Sequence, residues 1–160
     1  MPTLDEVYRK FGEVSEAAQI LEAQLGNLLL AHKCIDAGLL ERPDSKRATE
    51  ICKAITKQTL GQLRNSLGSI WDSVENPEKL LNAAVASRNR LTHSFYLQHN
   101  FRRNSDDGRE VMLRDLEVIH EDLWEAYRAV LLLSGIDLEK FVEEVGDISL
   151  PIAHVPLLPA

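Results

Sequence analysis

Apolar residues recur along this chain at intervals of three and four. Leu4, Val7, Phe11, Val14, Ala18, Leu21, Leu25, Leu28, His32 and Ile35 keep a 3-4-3-4 spacing without a break. That spacing predicts one long helix whose seam packs along another helix of comparable length. Gly38 and then Arg42-Pro43-Asp44 end it. Ser45 is a good N-cap for a second helix, with Ala48, Cys52, Ile55, Thr59, Leu63 and Leu67 on its inner face and Gly61 and Gly68 weakening it. Asn76-Pro77 marks a third start, since asparagine caps and proline is tolerated in the first turn; this helix is expected to run to about His99.

Asn100 to Gly108 reads as a polar loop, and Ser105, Asp106 and Asp107 suit the start of a fourth helix. Met112, Leu116, Ile119, Leu123, Ala126, Val130 and Leu133 repeat the seam, which makes this helix the natural partner of the first. Gly135 ends it, and Asp137 caps a short fifth helix to about Val145. The last segment, Ser149 to Ala160, carries three prolines among apolar residues and is expected to be extended. The fold predicted is all-α: an up-and-down helical bundle of four main helices, plus a short C-terminal helix and an extended tail. Residues 1–146 form the bundle and 147–160 the tail.

The charge distribution sharpens the picture. Between Lys79 and Ser105 there are five cations and no acid, in a chain of net charge −7, which leaves −12 for the remainder. Such asymmetry marks one local surface for an anion and argues against a generally basic, sticky protein. No run of about 18 apolar residues could span a membrane. The opening Met-Pro-Thr-Leu-Asp-Glu has neither a basic segment nor an apolar one, which predicts no secretory leader. Cys34 and Cys52 lack metal-ligand spacing and read as reduced thiols of a cytoplasmic protein.

Within the acid-free stretch, Arg88-Asn89-Arg90-Leu91-Thr92-His93 stands out. At about 100° per residue, Arg88 falls in the middle of the face defined by Leu81, Ala84, Val85, Leu91 and Phe95. Burying an unpaired guanidinium is very costly, so Arg88 requires either a carboxylate partner or a cleft that admits an anion. Asn89, His93 and Tyr96 share a stripe bordering that face, and Arg90 points to solvent. Arg88 and His93 lie about 140° apart, a gap that an extended arginine or a two-fold axis could bridge. His99, Arg102 and Arg103 read as a solvated basic edge able to touch phosphates. Phe95 and Phe101 could stack on bases, although core packing is the simpler reading. His32, on the first seam, reads as a core histidine, and His120 and His154 carry no chemistry around them.

This set permits a specific reaction. RNA is cut without metal when its 2′-hydroxyl attacks the neighbouring phosphate, which needs a base, an acid and a cation for the developing charge. Histidine titrates in the right range for proton transfer, and arginine grips phosphate while staying charged. Asn89 could orient either the imidazole or the phosphate. The stretch offers no carboxylate cluster for Mg²⁺, so no metal and no cofactor is expected.

Arg88-Asn89-x-x-x-His93, near the end of the third helix of an all-α domain, resembles the R-x(4–6)-H motif of the HEPN superfamily (higher eukaryote and prokaryote nucleotide-binding domains). The resemblance implies a compact helical bundle, usually a homodimer, acting as a metal-independent ribonuclease in toxin–antitoxin, defence or RNA-processing systems. It implies that Arg88, Asn89 and His93 form the active-site set in a cleft shared by two protomers. Arg90, Tyr96, His99, Arg102 and Arg103 would then contact RNA or a nucleotide, and an antitoxin or regulatory protein would be a partner. A toxin branch carries R-x(4)-H-x-Y, and here the sequence departs: Phe95 stands two beyond His93 and tyrosine comes one later, at Tyr96.

Two blander readings stand beside it. One is a non-catalytic helical module binding a partner protein or nucleotide, with Arg88 in a structural ion pair and His93 bonded to a helix-end carbonyl. The other is an interaction protein whose long seams are dimer contacts. Accessibility separates them: a solvent-open cleft around Arg88 and His93 with no carboxylate within salt-bridge reach favours the enzyme, and a buried Asp or Glu clamping Arg88 favours the module.

Overall fold

A computed structural model describes residues 1–67 and 77–137. Gly68, Trp71, Asn76, the fifth helix expected after Asp137, the proline tail and His154 lie outside or at the edge of these residues. The described chain is a helical bundle of six α-helices: α1 (Leu4–Asp36), α2 (Ser45–Ile55), α3 (Leu60–Ser66), α4 (Pro77–His93), α5 (Phe95–Gln98) and α6 (Asp106–Leu133). A single 3-10 turn, Arg102–Asn104, leads into α6.

α1 starts where its capping chemistry dictates. The Glu6 amide donates to Thr3 Oγ1 at 3.2 Å and the Thr3 amide to Glu6 Oε2 at 2.6 Å, satisfying two otherwise orphaned donors. Gly38, at φ +67°, takes the left-handed conformation just past the helix end. Val7, Val14, Ala18, Leu21 and Leu25 are buried as the spacing predicts. Beyond Leu25 the buried position is Leu29, while Ile35 is 58% exposed. A straight helix drifts by about 20° per heptad against a strict seven-residue repeat, so the stripe moves off the predicted seam. His32 likewise is a surface residue, its Nδ1 3.0 Å from Asp36.

The expected second helix is two helices. Its N-cap is Asp44, whose Oδ1 accepts from the Lys46 and Arg47 amides at 3.0 Å each, one residue before the predicted Ser45. The chain leaves helical geometry after Ile55 and restarts at Thr59, whose amide donates to Gln62 Oε1 at 2.8 Å. The third predicted helix also divides, at Ser94 (φ −131°, ψ −12°), so that Phe95–Gln98 is a separate turn.

α6 forms as expected. Ser105 Oγ accepts from the Gly108 amide at 3.1 Å. Met112, Leu116, Ile119, Leu123, Ala126 and Val130 are fully buried.

Residue pairings fix the helix directions. Arg109 Nε donates to the Pro2 carbonyl at 2.6 Å, and Lys10 feels Glu117, both with an offset of 107 residues, so α1 and α6 run parallel. α4 is antiparallel to both: Arg88 meets Glu22 on α1, while Ser87 meets Asp122 and Arg90 meets Asp115 on α6. Lys10 is buried in the α1–α6 seam, and that burial holds its ammonium below the usual lysine range against the pull of Glu117 and Glu13.

Gly108 and Gly12 make opposite predictions from one substitution. A Cβ on Gly108 would overlap the Arg102 carbonyl oxygen and stand 2.7 Å from that residue's carbonyl carbon and Cα. Backbone cannot yield, so Gly108→Ala is expected to destabilise by about 1–3 kcal/mol despite alanine's better helix propensity. Gly12 has nothing within 4 Å of the added Cβ, so Gly12→Ala is expected to stabilise by about 0.5–1 kcal/mol. Urea unfolding of both variants checks the contrast.

Candidate functional site

The groove containing Arg88 is built by α1 and α4. It encloses about 380 Å³ and is lined by Phe11, Ser15 and Gln19 on one wall and by Arg88, Leu91 and Thr92 on the other, with Glu22 beside Arg88. A second groove of about 350 Å³, between α1 and the α2–α3 pair, shares Gln19 and Glu22 with it.

Arg88 occupies the inward face, and it has the carboxylate partner that this position calls for. Its Nη2 lies 3.1 Å from Glu22 Oε1, the two side chains being 23% and 25% exposed, so the pair forms part of the groove wall. Its Nη1 donates to Asn89 Oδ1 at 3.3 Å. The guanidinium is thus shared between Glu22 on α1 and the neighbouring Asn89 side chain. Asn89 and His93 are both exposed, as are Ala86 and Asn82 on the same stripe one and two turns earlier. The structure brings Arg88 and Asn89 into contact and leaves His93 open to solvent on the adjoining surface.

The other predicted residues divide. Arg90, expected to face solvent, instead places Nη1 2.7 and 2.8 Å from the two Asp115 oxygens. His99, expected on a solvated edge, is 3% exposed, with Nε2 2.7 Å from Asp115 Oδ2 and Nδ1 3.0 Å from Arg102 Nη1. The Phe95 ring lies against it at 4.6 Å between centroids. A buried imidazole held this way cannot touch a phosphate, so His99 leaves the set of nucleic-acid contacts. Arg102 and Arg103 remain exposed, and among the described residues neither forms an ion pair with a carboxylate.

Tyr96 does not continue the Asn89–His93 stripe, because the break at Ser94 turns it. It packs 5.1 Å from Phe11 and edge-on to Phe95 at 5.3 Å, at the Phe11 end of the groove. Burial pushes its phenol above the ordinary tyrosine range, Tyr8 adds to this, and Arg103 opposes it.

Sequence reasoning missed two carboxylates. Glu22 accepts from Arg88 and, at 3.2 Å, from the Leu60 amide at the start of α3. Asp115 joins α4, α6 and the turn before α6. Burial opposes its ionisation, but the hydrogen bonds from His99 and Arg90 outweigh that and hold its carboxyl below the usual aspartate range. The available signal was positional: Glu22 flanks the first seam beside Leu21, and Asp115 and Asp122 flank the last, seven residues apart.

Among the described residues, no group of three His, Cys, Asp or Glu side chains is placed to hold a metal ion, and no helix is long and apolar enough to cross a membrane. No protein-family model, curated protein or solved structure matches this chain.

The lowered carboxyl of Asp115 carries a sign. A folded-state pKa below the unfolded value contributes stability that is full above the unfolded value, near 3.8, and is lost as pH falls through the lower folded one. Asp115→Asn is expected to cost about 1.5–3 kcal/mol at neutral pH, the worth of hydrogen bonds to a charged group. That gap between variant and wild type should narrow as pH drops below about 3.8. Thermal melts across pH 2.5–7 (an experimental range of order set by the aspartate titration) check it.

Proposed function

We propose that this chain is a HEPN-type, metal-independent endoribonuclease that acts as a homodimer, with His93 as acid/base, Arg88 stabilising phosphate charge and Asn89 orienting it. The observation that carries this reading is the reach of the Arg88 guanidinium to Asn89. It links a charge rooted in a groove to the exposed surface on which His93 stands. On one protomer Arg88 and His93 diverge around the helix, so the reading needs a two-fold axis along α4. The uncharged, exposed stripe of Asn82, Ala86, Asn89 and His93 suits such a contact.

In the reaction, one His93 accepts the 2′-hydroxyl proton and the 2′-oxygen bonds to phosphorus. The bond from phosphorus to the 5′-oxygen breaks, and His93 of the second protomer donates the proton to that oxygen. The products are a 2′,3′-cyclic phosphate and a 5′-hydroxyl. Arg88 holds the non-bridging oxygens as their charge grows. An enzyme of this type attacks its own cell's RNA, which suits a cytoplasmic toxin or defence protein kept in check by an antitoxin.

A second reading is favoured by one contact, the Arg88–Glu22 pair. In a non-catalytic module that pair is purely structural. The two readings part at Glu22→Gln, which keeps the hydrogen-bond geometry and removes the competing charge. For the ribonuclease, RNA binds more tightly to this variant; for the module, RNA affinity stays unchanged.

The direct test is cleavage of a mixed single-stranded RNA pool in excess EDTA. Wild type is expected to leave 2′,3′-cyclic ends, and an equally folded His93→Ala variant to lose at least about 100-fold in rate. Absence of cutting by wild type across the pool turns the assignment to the module.

A further inference from the structure

Phe101 is 80% exposed, and Leu97, one turn earlier, is 78% exposed, while the neighbouring Phe95 is fully buried. Single exposed apolar residues are ordinary on protein surfaces. What distinguishes Phe101 is its mounting. The Arg102 amide donates to the His99 carbonyl at 2.9 Å, and the Asn104 amide to the Phe101 carbonyl at 3.2 Å. Arg109 Nη1 donates to the Arg103 carbonyl at 2.9 Å while its Nε holds Pro2. Arg102 itself is tied to the buried His99, and Gly108 lies flush against the Arg102 backbone. A large aromatic ring is therefore held in water on a turn pinned from several sides, which spares most of the ordering cost of a stacking partner.

The charge around it selects the partner. Arg102 and Arg103 follow Phe101 directly, exposed and without a carboxylate partner among the described residues. Arg88 and Arg90, by contrast, are already matched by Glu22 and Asp115. The patch is also continuous with the groove: Phe11 lines the groove and packs on Tyr96, which lies within electrostatic reach of Arg103.

We infer that Phe101 is a stacking platform for an unpaired base of single-stranded RNA whose backbone is gripped by Arg103 and Arg102 as it leaves the Arg88 groove. This rests on the ribonuclease reading and adds to it a substrate class and an outer subsite. A paired base has no free face to offer, so the subsite discriminates single strands from duplexes.

The test uses the full chain and a fluorescein-labelled, 2′-O-methyl single-stranded RNA, which lacks the attacking hydroxyl and cannot be cut. Fluorescence anisotropy is read for wild type, Phe101→Ala, Phe101→Trp and Arg103→Ala, with thermal melts to establish that each is folded. Stacking of one base is worth about 5- to 100-fold in affinity, so Phe101→Ala is expected to weaken binding by that factor and Phe101→Trp to preserve it. Arg103→Ala should lower the slope of log affinity against log salt by about 0.7. The same sequence annealed to its complement should bind wild type and Phe101→Ala alike. Tight RNA binding that Phe101→Ala leaves unchanged overturns the subsite, assigns the ring to a protein partner or to none, and leaves the ribonuclease reading standing. Failure of wild type to bind any of these RNAs overturns both.

Discussion

Two long helices packed side by side and pointing the same way impose the main constraint on this fold. α1 and α6 share a continuous apolar seam at a fixed register, and parallel helices cannot be joined by a tight turn. The chain has to travel back along their length before α6 can begin. That return is α4, which lies against both and is antiparallel to each. Every polar residue that α4 turns inward consequently meets one of two flanks, and each flank supplies what it needs.

The supply is electrostatic. The region from Lys79 to Ser105 contains no acid, so its buried cations take their counter-charges from elsewhere in the chain. Glu22 comes from α1; Asp115 comes from α6, and Asp122 of the same helix accepts from Ser87. The asymmetry visible in the sequence is therefore partly internal complementarity between helices. Within this stretch, the cations without a carboxylate partner among the described residues are Lys79, Arg102 and Arg103, all exposed. Glu22 binds the arrangement further, because the same oxygen that faces Arg88 also accepts from the first amide of α3. One carboxylate thus joins three helices, α1, α3 and α4.

The long seams, the cap at Ser105 and the end near Gly38 were legible in the sequence because they rest on local chemistry and period. So was the inward phase of Arg88, which follows from helical geometry alone. The restart of the chain at Thr59 was legible as the capping box Thr59-x-x-Gln62 and was overlooked, whereas the break at Ser94 has no proline and no such local signal. Arg90 and His99 were misplaced for a related reason. Helical phase gives a direction but not what stands there, and Asp115 lies 25 residues from Arg90 and 16 from His99. His32 keeps the seam's spacing, yet α6 has ended before α1 reaches it, so among the described residues α6 offers no wall to bury it.

The way His99 is held sets it apart from His93. Its Nδ1 faces a guanidinium that can only donate, and its Nε2 faces a carboxylate that accepts. One placement of the proton satisfies both neighbours, and moving it would leave two buried groups mismatched at once. The imidazole is thereby made a fixed strut. His93, six residues earlier, stands exposed on the surface of α4. Two chemically identical side chains are thus sorted by their surroundings, one built into the packing between helices and one left at the surface.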